Sequence, residues 1–213
     1  MDDEAGVDYE EMPHDKPGII LQARMTSSRF PNKNLCKVKG KPVIDWVIEA
    51  CLETKYDIVI AIPDTKTNDA LEVYLELKWT GINRHRLLMI YRGHEEDVLN
   101  RYMNANLYVS FDPIIRVCSD AIYLNPADID LALNLWYSRK YYTRINAVEV
   151  FSMDEMEYAH KNCHNIAVRE DVLGTWGACT VDYPSDIDRF NFDSDDPTIR
   201  GRLNERNSKR KSS

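Results

Sequence analysis

Short apolar runs of strand length alternate with amphipathic stretches of helix length, and this rhythm restricts the fold more than any other property of the chain. Residues 18–23 (GIILQA), 57–62 (DIVIAI), 87–91 (LLMIY) and 113–118 (PIIRVC) read as strands, and residues 147–151 (AVEVF) alternate in the manner of an edge or antiparallel strand. Helical periodicity falls between them, over residues 42–53, 67–77, 95–110, 126–137 and 153–161. Pro42 and Pro126 stand in first helical turns, where a missing N–H costs nothing because that donor lacks an intrahelical partner anyway. Strand, helix, strand, helix in this order predicts crossover units: an α/β fold with a mostly parallel sheet and helices on both faces. In such sheets the ligand crevice lies beyond the carboxyl ends of the strands. Polar residues directly after the first and third long strands, in segments 22–33 and 119–126, therefore carry the most functional weight.

The remaining sequence sets the limits of this domain. A chain of 213 residues is long enough to bury a core without staples. Its five cysteines, Cys36, Cys51, Cys118, Cys163 and Cys179, form no CxxC pair, which argues against a disulfide framework or a zinc ribbon and for a reducing cytoplasm. The apolar run at 58–62 is far short of a membrane span, and the acidic first residues do not resemble a signal or transit peptide, so no membrane insertion is expected. The net charge of -8 is unevenly distributed: residues 1–16 hold seven acids and one base, whereas residues 200–213 hold six bases and one acid. Both ends lack apolar periodicity and read as tails, acidic over 1–16 and basic over 193–213, around a domain at 17–192. The basic tail is short and follows an acidic stretch, which favours a solvated segment over a stable nucleic-acid contact.

The loop that leaves the first strand, residues 22–33 (QARMTSSRFPNK), gathers Arg24, Arg29 and Lys33 with the hydroxyls of Thr26, Ser27 and Ser28. Guanidinium groups grip phosphate oxygens as a fork and lysine adds a mobile point charge, so this composition suits a polyanion. The loop carries neither a Walker A pattern nor a GxGxxG fingerprint. Composition alone leaves an exposed basic loop as the alternative.

Six stretches, in order, carry a resemblance: IILQARMTSSRFPNKNL with KGKPVIDWVIE, then RGHEEDVLNRYMNA, IIRVCSDAIYLNP, AVEVFSMDEMEYA and TVDYPSDI. Together they resemble the cytidylyltransferases that include the spore-coat polysaccharide synthesis enzymes and, more distantly, the CMP-sialic acid and CMP-Kdo synthetases. The resemblance implies a three-layer, Rossmann-like fold of the nucleotide-diphospho-sugar-transferase type. It implies Mg²⁺-dependent transfer of CMP from CTP to a sugar acid or similar small acceptor, with release of pyrophosphate, for surface glycan synthesis. On this likeness Gln22, Ala23, Arg24, Ser28, Arg29, Lys33 and Arg92 bind the nucleotide, and Asp120 and Asp182 hold the metal. Arg24, Lys33 and Asp120 are the expected catalytic residues, and Asp97 joins Arg92 as a pocket residue. Charge growing on the leaving pyrophosphate explains why fixed cations are needed. Two departures stand out. Asn32 replaces a family glycine, at a position where asparagine tolerates left-handed backbone. The family's Asp-Cys-Pro reads Asp120-Ala121-Ile122, a change expected in the pocket wall.

Other constellations have structural readings. Glu95, Glu96 and Asp97 complement a helix dipole as well as they would a metal. Arg116, a cation inside an apolar strand, needs a buried partner. Asp128-Ile129-Asp130 looks like a glycosyltransferase metal string but falls in a first helical turn. His160, Cys163 and His164 lack a second ligand pair. Trp46, Trp79, Trp136 and Trp176 are expected in or around the core. The segment between residues 151 and 180 is shorter than in relatives, which leaves open a reduced acceptor side or one completed by a second copy in a homodimer. A nucleotide-binding homologue without turnover, and a nucleotide-sugar glycosyltransferase of similar fold, are the alternatives in function.

Overall fold

A computed structural model describes residues 16–80, 87–139, 143–162, 172–173 and 184–185. In chain order the elements are β1 (Gly18–Gln22), a two-residue ribbon of β2 (Lys37–Val38) and β3 (Lys41–Pro42), α1 (Val43–Leu52), β4 (Asp57–Pro63), α2 (Asp69–Trp79), β5 (Leu88–Gly93), α3 (Val98–Asn106), β6 (Ile114–Cys118), α4 (Pro126–Arg139), β7 (Thr143–Ile145), β8 (Val148–Phe151), α5 (Met153–Lys161) and β9 (Val172–Leu173). The main sheet has the order β5-β4-β1-β6-β8-β7-β9. Among the described strands of this sheet only β8 runs against the rest: it pairs antiparallel with both β6 and β7, while the other pairings are parallel.

Alternation along the strands divides the core into two layers. Ile19, Leu21, Ile58, Ile60, Ile115 and Val117 point toward Val47 and Ile48 of α1, Leu71 and Leu75 of α2, and Ile129 and Leu133 of α4. Ile20, Val59, Ala61 and Ile114 point the other way, toward Tyr102 and Ala105 of α3 and Met156 of α5. Three layers result, helices covering both faces of the sheet as the periodicity predicts. The antiparallel character expected of residues 147–151 is realised in β8, although β7 and β9 lie outside it, so it is not an edge.

Local chemistry sets the element ends. The predicted helix over 95–110 begins instead at Val98, because the Asp97 side chain accepts from the Asn100 N–H at 2.8 Å and caps it. Ser152 and Glu155 form a capping box that starts α5 at Met153, as expected. The sequence pattern missed β7, whose three residues are too short to establish an alternation around Arg144. Trp79 and Trp136 are buried and Trp46 is half-buried, its indole N–H donating to the Val38 carbonyl, whereas Trp176 lies outside the described residues.

Gly18 is required by close approach rather than by backbone conformation. A Cβ placed on it would lie 2.3 Å from the ring of the fully buried Phe111. Gly18→Ala is expected to cost roughly 1–3 kcal/mol through overpacking. Chemical denaturation is the check, and an unchanged midpoint would mean that the ring shifts freely.

The topology also locates the crevice. From β1 the chain builds outward on one side through β4 and β5, then returns to place β6 on the other side of β1. The switch in strand order therefore falls between β1 and β6, where an open α/β sheet binds ligands.

Candidate active site

The strand β1 ends at Gln22, and the loop that follows is pinned along its length. The Ala23 N–H donates to the Ala61 carbonyl at 3.2 Å, and the Met25 N–H to the buried Asn68 Oδ1 at 2.9 Å. The Asn32 N–H closes back on the Met25 carbonyl at 2.9 Å, and the side chain of buried Asn34 donates to the Arg24 carbonyl at 2.7 Å. Asn32 itself adopts φ 61°, ψ 14°, the left-handed conformation expected where relatives carry glycine. Backbone groups of a curled loop must all find partners, and here two asparagine side chains supply them.

On the other side of the switch point, β6 delivers Cys118, Ser119 and Asp120, with the Ser119 N–H bonded to the Gln22 carbonyl at 3.0 Å. The two segments enclose a cleft of about 240 Å³ whose walls include Gln22, Arg24, Ser28, Arg29, Lys33 and Asp120. Ser27, Asn34, Arg116, Cys118 and Ser119 complete it. The Lys33 ammonium forms an ion pair with the Asp120 carboxylate across the cleft, 87 residues apart in sequence. Both side chains are largely buried, at 12% and 17% exposure, which strengthens their interaction relative to a surface pair. A second hollow of about 590 Å³ lies against the same loop, shares Arg24, Ser27 and Ser28, and is bounded by Thr67, Glu95 and Glu96. Four cations, Arg24, Arg29, Lys33 and Arg116, with several hydroxyls and the Asp120 carboxylate around a small cleft form a donor set that suits a polyanion. This donor set occurs at the position where family motifs fall, and the cytidylyltransferase family profile matches residues 18–171.

The chain belongs to the cytidylyltransferase family. An uncharacterized protein of Methanocaldococcus jannaschii is 31% identical over 165 residues, covering 72% of this chain and 63% of that protein. The Bacillus subtilis spore coat polysaccharide biosynthesis protein SpsF is 26% identical over 127 residues, or 57% of this chain and 50% of its own length. The chain thus spans less than two thirds of the length of these curated relatives. A solved CMP:2-keto-3-deoxy-manno-octonic acid synthetase complexed with CTP matches with a TM-score of 0.61 at 14% identity, over 83% of this chain and 97% of that one, a likeness of fold.

In this cytidylyltransferase-family chain, not every anticipated residue reaches the cleft. Ala23 is buried, with its side chain in the core and its N–H taken by β4. Arg92 lies at the end of β5, where its guanidinium donates to Asp64 at 3.0 Å, to Asp69 at 2.8 Å, to the Thr65 carbonyl at 3.0 Å and to Glu72. Asp69 first and then Glu72 raise its pKa further above the ordinary arginine range, and Arg92 ties β5 to α2 rather than lining the cleft. Asp97 caps α3 and accepts from His160 at 3.1 Å, so both have structural partners. Asp182 lies outside the described residues, as do Cys163, His164 and most of the predicted tails.

The departure at 121–122 leaves the cleft wall untouched. Ala121 and Ile122 turn into the core, Ile122 packing with Val38 and Val43. The Asp128-Ile129-Asp130 string does not converge on a metal: Asp128 accepts from Asn146 at 2.8 Å, Asp130 from the Tyr56 hydroxyl at 2.7 Å, and Ile129 is buried between them. Among the described residues no group of three His, Cys, Asp or Glu side chains could hold a metal, and no helix is long and apolar enough to cross a membrane. Sequence reasoning missed Ser27, Asn34, Cys118 and Ser119 as cleft residues, and read Arg116 only as a strand cation in need of a buried partner. Ser27 and Ser119 fall inside the two segments flagged as functional, and Asn34 and Cys118 just outside them. Asn68 carried no local signal, because its role is to accept from an N–H 43 residues away.

Proposed function

We propose that this chain catalyses transfer of CMP from CTP to a sugar acid or similar small hydroxyl acceptor, releasing pyrophosphate, in the synthesis of a surface glycan. The observation that carries the reading is the cleft at the switch point, where Arg24, Arg29 and Lys33 face the Asp120 carboxylate. The acceptor oxygen gives up its hydroxyl proton to solvent and forms a bond to the α-phosphorus as the bond from that phosphorus to the α,β-bridging oxygen breaks, so the electron pair and negative charge pass to pyrophosphate. Arg24 and Arg29 bind its oxygens as forks, Lys33 stabilises the growing charge, and the Ser27 and Ser28 hydroxyls complete the cradle. The loop backbone that carries these groups is pinned by Asn34 and Asn68, and Lys33 is held by Asp120, so little backbone reorganisation is required at the moment of transfer.

Mg²⁺ fits this donor set. It takes one or two carboxylates together with phosphate oxygens and water, and Asp120 supplies a carboxylate beside the phosphate-binding cations. Asp120, with Asp182 as the proposed second ligand, would hold the ion, which would neutralise phosphate charge. The reading assigns this chemistry to a cytoplasmic domain spanning residues 17–192, with the acceptor side closed by the segment after α5 or by a second copy of the chain. Support comes from the family match and from SpsF, whose name places it in spore coat polysaccharide synthesis.

Thermal shift tests the reading. Each of the four nucleoside triphosphates is added with Mg²⁺ at equal concentration. A ligand at a hundred times its Kd stabilises the folded state by about 2.7 kcal/mol, so CTP is expected to raise the melting temperature well beyond the others. Equal shifts from all four would sink the cytidylyl assignment. Pyrophosphate release from CTP over a panel of sugar acids then identifies the acceptor.

A further inference from the structure

Beneath the cleft floor lies a hydrogen-bonded array whose directions are all forced by chemistry. Gln22 Oε1 accepts from the Tyr102 hydroxyl at 3.0 Å and from Arg116 Nη2 at 3.1 Å, while Arg116 Nε donates to the same Tyr102 oxygen at 3.1 Å. A guanidinium has five donors and no acceptor. The Gln22 atom facing Arg116 must therefore be its oxygen, and the Tyr102 oxygen facing Nε must accept, which turns the Tyr102 proton onto Gln22. Reversing the Gln22 amide would set an NH₂ group against two donors.

The array is anchored from behind. Arg116 also donates to Glu149, its cross-strand partner in the β6–β8 pairing, and Glu149 in turn lies 3.8 Å from Arg144 on β7. Glu149 and Tyr102 are each 1% exposed. Burial pushes the Tyr102 hydroxyl well above its ordinary pKa, so it stays a neutral donor. With both lone pairs of Oε1 in use, Gln22 has only its Nε2 hydrogens left to offer, and Nε2 has no hydrogen-bond partner among the described residues. Gln22 and Arg116 line the same cleft as Lys33 and Asp120.

We propose that Tyr102 and Arg116 are positioning residues that lock the Gln22 amide with its N–H donors toward the cleft, where Gln22 binds a phosphate oxygen of the nucleotide. The inference rests on the nucleotide reading above and deepens it. The cleft then presents an uncharged donor beside its cations, one that does not titrate and cannot rotate to accept. The lock restricts this position to ligand oxygens that accept hydrogen bonds.

Three variants test it, with calorimetric titration of CTP and of inorganic tripolyphosphate, each with Mg²⁺. Gln22→Glu keeps the inner oxygen that accepts from Tyr102 and Arg116 and changes only the cleft-facing donor into an acceptor. Gln22→Met removes the donor without adding charge. Tyr102→Phe removes one of the two inner donors, leaves Arg116 to orient Gln22 and loosens the lock. Both Gln22 variants are expected to lose affinity for the two probes by about tenfold or more, the size of one hydrogen bond to a charged group. Gln22→Glu should melt no lower than wild type, since its carboxylate gains an ion pair with Arg116. Tyr102→Phe should lose affinity for both probes as well. A purely structural role would lower its melting temperature and leave affinity unchanged, and that result, or wild-type affinity in Gln22→Met, overturns the inference. Wild-type protein that binds neither probe would instead overturn the nucleotide reading on which it stands.

Discussion

Replacing Asp120 with asparagine is expected to lower pyrophosphate release from CTP on the order of 10²- to 10³-fold, the scale seen when one preorganised electrostatic partner is lost at a reacting centre. Asparagine keeps the shape and one oxygen, so the fold should survive, but it removes the charge that pairs with Lys33 and the carboxylate that fits Mg²⁺. Lys33 would remain in the cleft without the Asp120 charge opposite it. Affinity for CTP measured without metal is therefore expected to hold or rise while turnover falls. Such a split separates a transfer role from simple binding, because a residue that acts only in binding would change KM and leave kcat alone. Authentic turnover within about tenfold of wild type would remove Asp120 from the mechanism. Lys33→Met is expected to lose both binding and turnover, since Lys33 is assigned to ground-state phosphate contacts as well as to the charge on the leaving group.

Asp45→Ala is expected to destabilise the domain by roughly 3–5 kcal/mol, the range for breaking a buried ionic cluster by removing one partner. Asp45, on α1, is fully buried and accepts from three side chains of α2: the Tyr74 hydroxyl at 2.6 Å, the Lys78 ammonium at 2.6 Å and the Trp79 indole N–H at 2.9 Å. Removing the carboxylate leaves the buried Trp79 donor and the half-buried Tyr74 donor short of an acceptor, while the Lys78 ammonium, on a side chain 41% exposed, turns to water. At about 2–4 °C per kcal/mol for a domain of this size, the fall in melting temperature should be large. Asp45→Asn, which keeps an acceptor, should lose less. The cluster also predicts a pH dependence. The Asp45 hydrogen bond raises the Lys78 pKa, and burial followed by the same carboxylate pushes the Tyr74 hydroxyl up to about 12. A group whose pKa is raised by folding contributes stability that is fully present below its unfolded pKa and lost as pH rises through the folded one. Wild-type stability should thus decline above about pH 10, the unfolded range of both groups, and this limb should flatten in Asp45→Ala. Denaturant unfolding at several pH values reads both effects; a loss below about 1 kcal/mol at neutral pH would show that the three donors find other partners.

Much of the functional loop was legible in the sequence, and for a local reason. Arg24, Ser28, Arg29 and Lys33 lie within ten residues of one another directly after an apolar run, so their concentration of charge is visible without any fold. Asp120 was singled out by the family resemblance, within a segment marked by its place after a strand, and Asn32 by its tolerance of positive φ, which the structure realises. Arg92 read as a pocket cation because its block is a family motif. What engages it, the carboxylates of Asp64, Asp69 and Glu72, comes from a different block of sequence. No local pattern signals that a cation is already neutralised. Ala23 illustrates the same limit, since alternation from β1 points it inward while its neighbour Arg24 is exposed.

Periodicity and composition were enough for the three-layer α/β class, the helix starts at Pro126 and Met153, and the concentration of cations in the loop, because each depends on residues within a few turns or a single strand. The pairing of Lys33 with Asp120, the direction of the Gln22 amide and the antiparallel insertion of β8 depend on partners that the chain brings together from far apart. Lys33 and Asp120 are separated by 87 positions, and Gln22 and Arg116 by 94. Hydrogen-bond direction is decided only when a donor without acceptor capacity, here a guanidinium, is packed against the group in question. Sheet order performs that step, by placing β6 beside β1 at the point where the chain reverses its direction of growth.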